Sequence, residues 1–416
     1  MVTNDITKKS RNLILGLLFL GWSLGNLDRY IMNYAVVSIT DDLSLDASST
    51  GVILSAFFLG YAIMQIPGGW LADKFGAKKI LLLSVIMWSI FTGLTAIAWS
   101  LVTMIVIRFL FGIGEGGFQP SSSKIIATIF PREERGRAMS IMLTSAGIMS
   151  LIVPLLSAYM LGTIGWRMMF IIIGAIGAII AFLYWKYIKL PEDTVASTGN
   201  VENKVSATNK VNFKELFKTP LMWNLIIAYF CIYAVNWGLV SWIPTYLQKN
   251  RGLDLMSIGW AQTIPAITTI IGVYGSGYII DKLPRGMDKI LGSISCAIIG
   301  LLLYLMFTAE TVTMFIGYQT MVSIFIAFVI TLLPAIVLKK LPSSITGSAM
   351  GVANTGGQLA GFVTPMAIGF MVDAFDGSFD AAFWMLIAFA VICIIALLTL
   401  NDQKGNLLNS ENNTVA

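Results

Sequence analysis

The stretch Gly69-Trp70-Leu71-Ala72-Asp73-Lys74-Phe75-Gly76-Ala77-Lys78-Lys79 is a short basic turn set between two long apolar runs, and it recurs. Gly69-x-x-x-Asp73-Lys74 returns as Gly277-x-x-x-Asp281-Lys282, a shift of 208 residues (281 − 73). A second element, Pro131-x4-Gly136-x-Ala138-Met139, returns as Pro342-x4-Gly347-x-Ala349-Met350, a shift of 211 (342 − 131). Two motifs displaced by nearly one offset mark a duplicated chain. Parallel six-helix repeats are one way in which membrane proteins build two lobes about a central site.

Working outward from these turns, the apolar runs are each long enough to cross a hydrocarbon core, for which about 20 helical residues suffice. They cover roughly 12–39, 49–72, 79–98, 101–127, 138–161 and 165–188, then 221–247, 256–280, 288–308, 311–338, 345–372 and 380–400. None alternates apolar and polar residues in the short blocks of a membrane barrel, so helices are predicted. Composition agrees: 56% of the 416 residues are hydrophobic and 12% are charged, against about a quarter charged in soluble domains. The surplus apolar surface must face lipid. The expectation is an all-α membrane protein with twelve transmembrane helices in two pseudo-symmetric six-helix bundles, residues 1–188 and 220–416. A polar linker at 189–219, opening on Pro191-Glu192-Asp193, joins them.

Charge placement predicts orientation. Counted by alternate gaps, 22 of the 27 Lys and Arg residues fall on the side of the two termini. By the positive-inside rule that side is cytoplasmic, in a multi-pass protein of the cell membrane. Lys8, Lys9 and Arg11 precede the first span as they would a signal peptide, but that span is too long, and too polar at Asp28 and Arg29. The net charge of +5 lies in the gaps between spans, which gives no basic face for nucleic acid. Cys231, Cys296 and Cys393 sit in apolar runs without metal-ligand spacing and read as small hydrophobes. The absence of histidine removes the commonest general base, metal ligand and neutral-pH relay, so proton chemistry must use carboxylates. The expected partners are the bilayer, a small anion and a proton as coupling ion. No cofactor, metal or enzymatic activity is expected, and the functional unit is read as a monomer.

The turn at 69–79 resembles the signature loop of the major facilitator superfamily, and the resemblance covers essentially the whole chain. Three further stretches resemble its anion:cation symporter family, which includes sugar-acid and sialic-acid carriers. They are Leu27-Asp28-Arg29, Arg108-Phe109-Leu110-Phe111-Gly112-Ile113-Gly114-Glu115-Gly116 and Phe130-Pro131-Arg132-Glu133-Glu134-Arg135-Gly136-Arg137-Ala138. The resemblance implies a major facilitator fold and proton-coupled uptake of a sugar acid: an aldonate, a hexuronate or an aldarate. The alternative reading is a proton-antiporting drug or metabolite exporter, which two arginines at membrane depth oppose.

Ionisable groups inside a bilayer are costly and are functional candidates by default. Four are found: Asp28, Arg29, Arg108 and Glu115, all in the first half. Arg108 and Glu115 are seven residues apart on one helix face, separated by about 10.5 Å of rise. That distance suits a third charge between them, and Asp28 is the expected one. Asp28 and Arg29 point about 100° apart and cannot share a partner on one face. Glu115 and Asp28 are expected to alternate between protonated and ionised forms while Arg108 tunes them. Arg29 is expected to face the cavity and hold the substrate carboxylate, as the resemblance also implies.

Neutral recognition is assigned to Tyr61 and Gln65, to Tyr30 and Tyr34, and in the second half to Asn236, Gln262, Asn354 and Gln358. Tyr61 and Asn354 match positions of the sugar-acid carriers. Thr144-Ser145-Ala146 and Gln119 depart from that pattern. Gly112-x-Gly114-x-x-Gly117 spells a dinucleotide fingerprint but follows a helical apolar run, so it reads as close helix packing. The loop residues Gly69, Asp73, Lys74 and Gly76, with Arg135 and Arg137, are expected to form a gating latch in which Asp73 pairs with the basic residues.

Overall fold

A computed structural model describes residues 7–190, 219–284, 286–341 and 343–400. The expected linker lies almost wholly outside the described residues. The first group of helices is α1 (Lys8–Asp42), α2 (Ala47–Phe75), α3 (Ala77–Thr95), α4 (Leu101–Gly116), α5 (Phe118–Ile129), α6 (Arg132–Thr163) and α7 (Gly165–Tyr187). The second is α8 (Pro220–Lys249), α9 (Leu255–Asp281), α10 (Met287–Phe307), α11 (Val312–Lys340), α12 (Ser343–Ala374) and α13 (Asp380–Leu398). Among the described residues, eleven helical stretches, counting α4 and α5 as one, are long and apolar enough to cross a membrane. The twelfth expected span, α1, has 35 residues but interrupts its apolar run with Asn26, Asp28, Arg29 and Asn33.

Local chemistry sets the boundaries. Asp46, Ser100, Asp254 and Thr311 each accept a first-turn N–H and start their helices. Gly76 (φ +94°) separates α2 from α3, and Gly286 (φ +84°) precedes α10 at the matching turn. The fourth span, expected to be one helix, is broken at Gly117. Pro120 has no N–H to offer the Gly116 carbonyl, so the ladder lapses there.

Within the first group α2 packs on α4, α3 on α7 and α1 on α6; within the second, α8 packs on α12, α9 on α11 and α10 on α13. The groups meet through α2 with α12, α6 with α9 and α1 with α8. The α2–α12 contact is confined to the face away from the termini, here called the far face. A Cβ on Gly51 would lie 2.6 Å from the Pro365 carbonyl, and one on Gly369 2.4 Å from the Ala47 carbonyl. Asp373 of α12 accepts from Ala47 N (3.1 Å) and Ser48 N (2.6 Å), capping α2 from the other group. Lys249 pairs with Asp41 beside it at 3.1 Å. Phe58 packs edge-on against Trp237 with centroids 4.8 Å apart, and fills the space a Cβ on Gly361 would need. Toward the termini α2 instead exposes Ile63, Ile66 and Trp70, Ile66 by 86%. The two groups therefore close at the far face and part at the terminal face.

Candidate substrate and coupling site

α2 and α4 cross at two glycines. A Cβ on Gly60 would lie 2.1 Å from the Phe109 carbonyl, and one on Gly112 2.2 Å from the Phe57 carbonyl. The glycine run in α4 thus serves close packing, as expected, and brings Tyr61 and Phe57 beside Glu115. Gly25 leaves the space on α1 into which Glu115 projects, 3.3 Å from a Cβ there.

The four charges form two separate pairs. Arg108 Nη1 donates to Asp28 Oδ1 at 3.0 Å, with both side chains 2% exposed. Arg29 Nη2 donates to Glu115 Oε1 at 2.7 Å, with exposures of 13% and 0%. Asp28 therefore pairs with Arg108 but does not bridge Arg108 to Glu115, as had been expected. Arg29 does not stand free in the cavity either; it holds Glu115. The 100° between neighbours on α1 is the reason, since it sends Asp28 toward α4's outer turn and Arg29 toward its inner one.

The pairs are supported unequally. Thr92 of α3 donates its hydroxyl to Asp28 Oδ2, and Arg108 Nη2 donates to Thr95 Oγ1 at 2.8 Å. Both Asp28 oxygens are thus bonded within a closed Thr92–Asp28–Arg108–Thr95 circuit. The Nε of each arginine is buried without a hydrogen-bond partner, but of the two acids Glu115 alone has an oxygen, Oε2, left buried and unbonded. The Arg29 guanidinium lies over the rings of Phe57 and Tyr61, 4.9 and 5.0 Å from their centroids, which supports the cation from its faces.

Tyr61 donates to Gln119 Oε1 at 3.2 Å and lies within hydrogen-bonding reach of Gln65. Tyr30 sits near Arg29 and Glu115, and near Tyr233 of the second group. Tyr34 follows one turn along α1 and is half-buried. Asn236 of α8 and Asn354 and Gln358 of α12 are half-buried, and none is bonded to another described group. Gln262 does not join them: it exchanges two amide bonds with Gln319, of 3.1 and 2.8 Å, tying α9 to α11. A small cavity of about 20 Å³ toward the far face is lined by Arg29, Asn33, Phe57, Phe58, Trp237 and Ser241, among others.

The signature loop differs from expectation. Asp73 pairs with Lys124 of α5 at 2.7 Å, not with Arg135 or Arg137. Lys124 is nearer because α5 runs beside the end of α2, while Arg135 Nε is spent on the Phe130 carbonyl at 3.0 Å. Lys74 folds over Trp70 at 4.7 Å. Sequence reading missed Thr92 and Thr95, whose three-residue spacing on one helix face was the available signal. It flagged Gln119 only as a departure, although that side chain meets Tyr61.

Comparison with known proteins gives this site its setting. The profile of the Major Facilitator Superfamily matches residues 13–365 and 290–414. The probable sulfoacetate transporter SauU of Cupriavidus necator is 30% identical over 94% of each chain. The probable galactarate/D-glucarate transporter GudP of Escherichia coli is 29% identical over 94% of this chain and 93% of its own. The hexuronate transporter of Bacillus subtilis is 28% identical over 92% of each. A crystal structure of a bacterial homolog of the human lysosomal transporter Spinster shares the fold, with a TM-score of 0.80 at 20% identity over 94% of this chain and 96% of that one. The D-xylose–proton symporter does too, with a TM-score of 0.76 at 16% identity over 95% and 99%. With its apolar helices, its duplicated turn and its buried charges, the chain belongs to the major facilitator superfamily, as a membrane transporter and not as an enzyme.

Proposed function

We propose that this protein imports a small organic anion together with a proton, by alternating access, and that the anion is a sugar acid: an aldonate, a hexuronate or an aldarate. The observation that carries the reading is the buried Arg29–Glu115 pair with its unbonded Glu115 oxygen. An incoming carboxylate competes with Glu115 for the Arg29 guanidinium. A carboxylate stripped of its cation in a fully buried site is costly, so Glu115 releases Arg29 by taking a proton. Anion binding and proton uptake are thereby linked at one residue pair.

Asp28 has a different part. With both oxygens bonded and Arg108 beside it, it anchors α1 to α3 and α4. Tyr61, Tyr30, Gln65 and Gln119 supply hydroxyl recognition from the first half; Asn236, Asn354 and Gln358 supply it from the second. The relatives named for sulfoacetate, galactarate, glucarate and hexuronate support a small anionic cargo. The lysine and arginine count supports a cytoplasmic terminal face, which makes the described state inward-facing. The transporter works as a monomer in the cell membrane, with the proton as its coupling ion and no cofactor.

The test is pH-gradient-driven uptake in liposomes across a panel of sugar acids. Glu115→Gln is expected to abolish gradient-driven uptake while keeping counterflow exchange. Uphill uptake surviving in that variant would refute the coupling role. Stabilisation by a cationic drug, with no response to any sugar acid, would overturn the substrate class.

A further inference from the structure

On the outer surface of the first helix group, α3 and α7 enclose an apolar groove of about 410 Å³ that the transport reading does not use. Its size falls within the range of small-molecule sites. Leu82, Ile86 and Ile90 line one wall at i, i+4 spacing, which places them on one stripe of α3. The floor is low because Gly174 packs directly on α3, where a Cβ would lie 2.9 Å from the Ser89 carbonyl. Ala178 and Ala181 continue it, and Phe182 and Trp185 form the other rim, 54% and 62% exposed.

The same stripe extends past the groove into charge. Lys78 stands one turn before Leu82, and its Nζ reaches the carbonyl of the rim residue Trp185 at 3.3 Å. Lys186 follows Trp185 and lies 5.9 Å from the ring of the other rim residue, Phe182. Lys79 and Lys189 are exposed beside them. The one acid of this turn, Asp73, is bound to Lys124 and does not neutralise the cluster. Among the described residues no carboxylate pairs with Lys78 or Lys186, and an apolar trough therefore opens at the terminal face onto ammonium groups. Over the roughly 18 Å of α3 from Lys78 to Ile90, its surface turns from headgroup-like to tail-like chemistry.

We propose that this groove is a binding site for an anionic phospholipid of the leaflet on the terminal side, with an acyl chain between α3 and α7 and the phosphate at Lys78 and Lys186. Charge complementarity selects the occupant, since a zwitterionic lipid brings its own cation to a site that already has two. Position gives it a consequence. Ser89, in the groove wall, is one turn from Thr92, the donor to Asp28, so an occupied groove buttresses the helix that holds the Asp28–Arg108 circuit.

The test is native mass spectrometry of the full-length protein exchanged into phosphatidylglycerol or phosphatidylcholine with identical palmitoyl-oleoyl chains. The expected result is preferential retention of phosphatidylglycerol, of roughly 30-fold for two lysines facing an anionic headgroup. Lys78→Gln with Lys186→Gln should remove the preference while leaving some retention of both lipids. Ala178→Phe, which fills the trough, should remove retention of both, with circular dichroism confirming that each variant is folded. Equal retention of the two lipids by the unaltered protein would overturn the proposal. So would a preference that persists in the double variant. Displacement of the lipid by glycerol phosphate alone would show a headgroup site without a groove, and would overturn it as well.

Discussion

Arg29 and Glu115 meet at 2.7 Å across α1 and α4, and the second Glu115 oxygen has no bond at all. A buried ion pair bonded on one side only is poised to change partners. Replacing Arg29 with lysine keeps the charge but loses the planar fork. Arg29→Lys is therefore expected to weaken anion binding by about 10- to 100-fold, the range of a charge-assisted hydrogen bond. Isothermal titration or counterflow kinetics would read it, and unchanged affinity would remove Arg29 from the substrate site.

The two acids should differ in what their neutralisation costs. Arg108 is 2% exposed and Arg29 13%. Asp28→Asn leaves a guanidinium in the drier place, a loss of about 3–5 kcal/mol. Glu115→Gln leaves one with partial access to water and should cost distinctly less. Thermal unfolding in a single detergent gives the order, and equal losses would contradict the asymmetry.

Thr92 offers a sharper probe of the same circuit. Thr92→Val preserves shape and removes the donor to Asp28, for an expected loss of about 1–3 kcal/mol. Thr92→Ser should restore most of it. If valine and serine behave alike, packing and not the hydroxyl is what α3 contributes.

At the far face, Gly369 lies against the Ala47 backbone and Asp373 caps α2. Gly369→Val inserts methyl groups where a single Cβ already lies 2.4 Å from the Ala47 carbonyl. It should wedge this face open. Asp373→Ala should loosen it more mildly, by roughly the 1 kcal/mol of a lost helix cap. Spin labels at Thr163 and Ala374, both exposed on this face, would report a longer distance in the glycine variant.

Acid sensitivity is expected outside the bilayer too. Asp46 caps α2, and the Ser49 hydroxyl and N–H hold its carboxyl below the ordinary aspartate value. A folded-state value below the unfolded one stabilises above the unfolded value and ceases to do so as pH falls through the folded one. The stabilising effect should therefore be present at neutral pH and disappear below about pH 4. Asp46→Asn should unfold at a lower temperature than the parent at pH 6, with the gap narrowing as the pH is taken below about 4.

The fold was legible because its signals are long: twelve apolar runs and a turn repeated 208 residues on leave few alternatives. The identity of the four buried charges was legible for the same reason, since charge stands out in an apolar run. Their pairing was not. Which acid meets which arginine depends on the rotation of α1 against α4, where the Gly25 gap admits Glu115. Thr92 and Thr95 were hidden because a threonine in an apolar span reads as a β-branched filler. Asp373 gives no signal in the sequence, because it lies near a helix end, and its partner is the N-terminus of a helix from the other group.

The α2–α12 contact has a kinetic side. Glycine meets backbone there at Gly51 and Gly369, so the two surfaces lie close at those points, with Phe58 lodged against Gly361 as a large tooth. Interlocked side chains would have to be drawn out one by one before the helices could separate. Close backbone faces can roll apart once the Phe58 ring turns aside and the two amide bonds to Asp373 exchange for water. The joint is firm enough to shut out the far side and, in the proposed alternating-access cycle, shallow enough to be reopened.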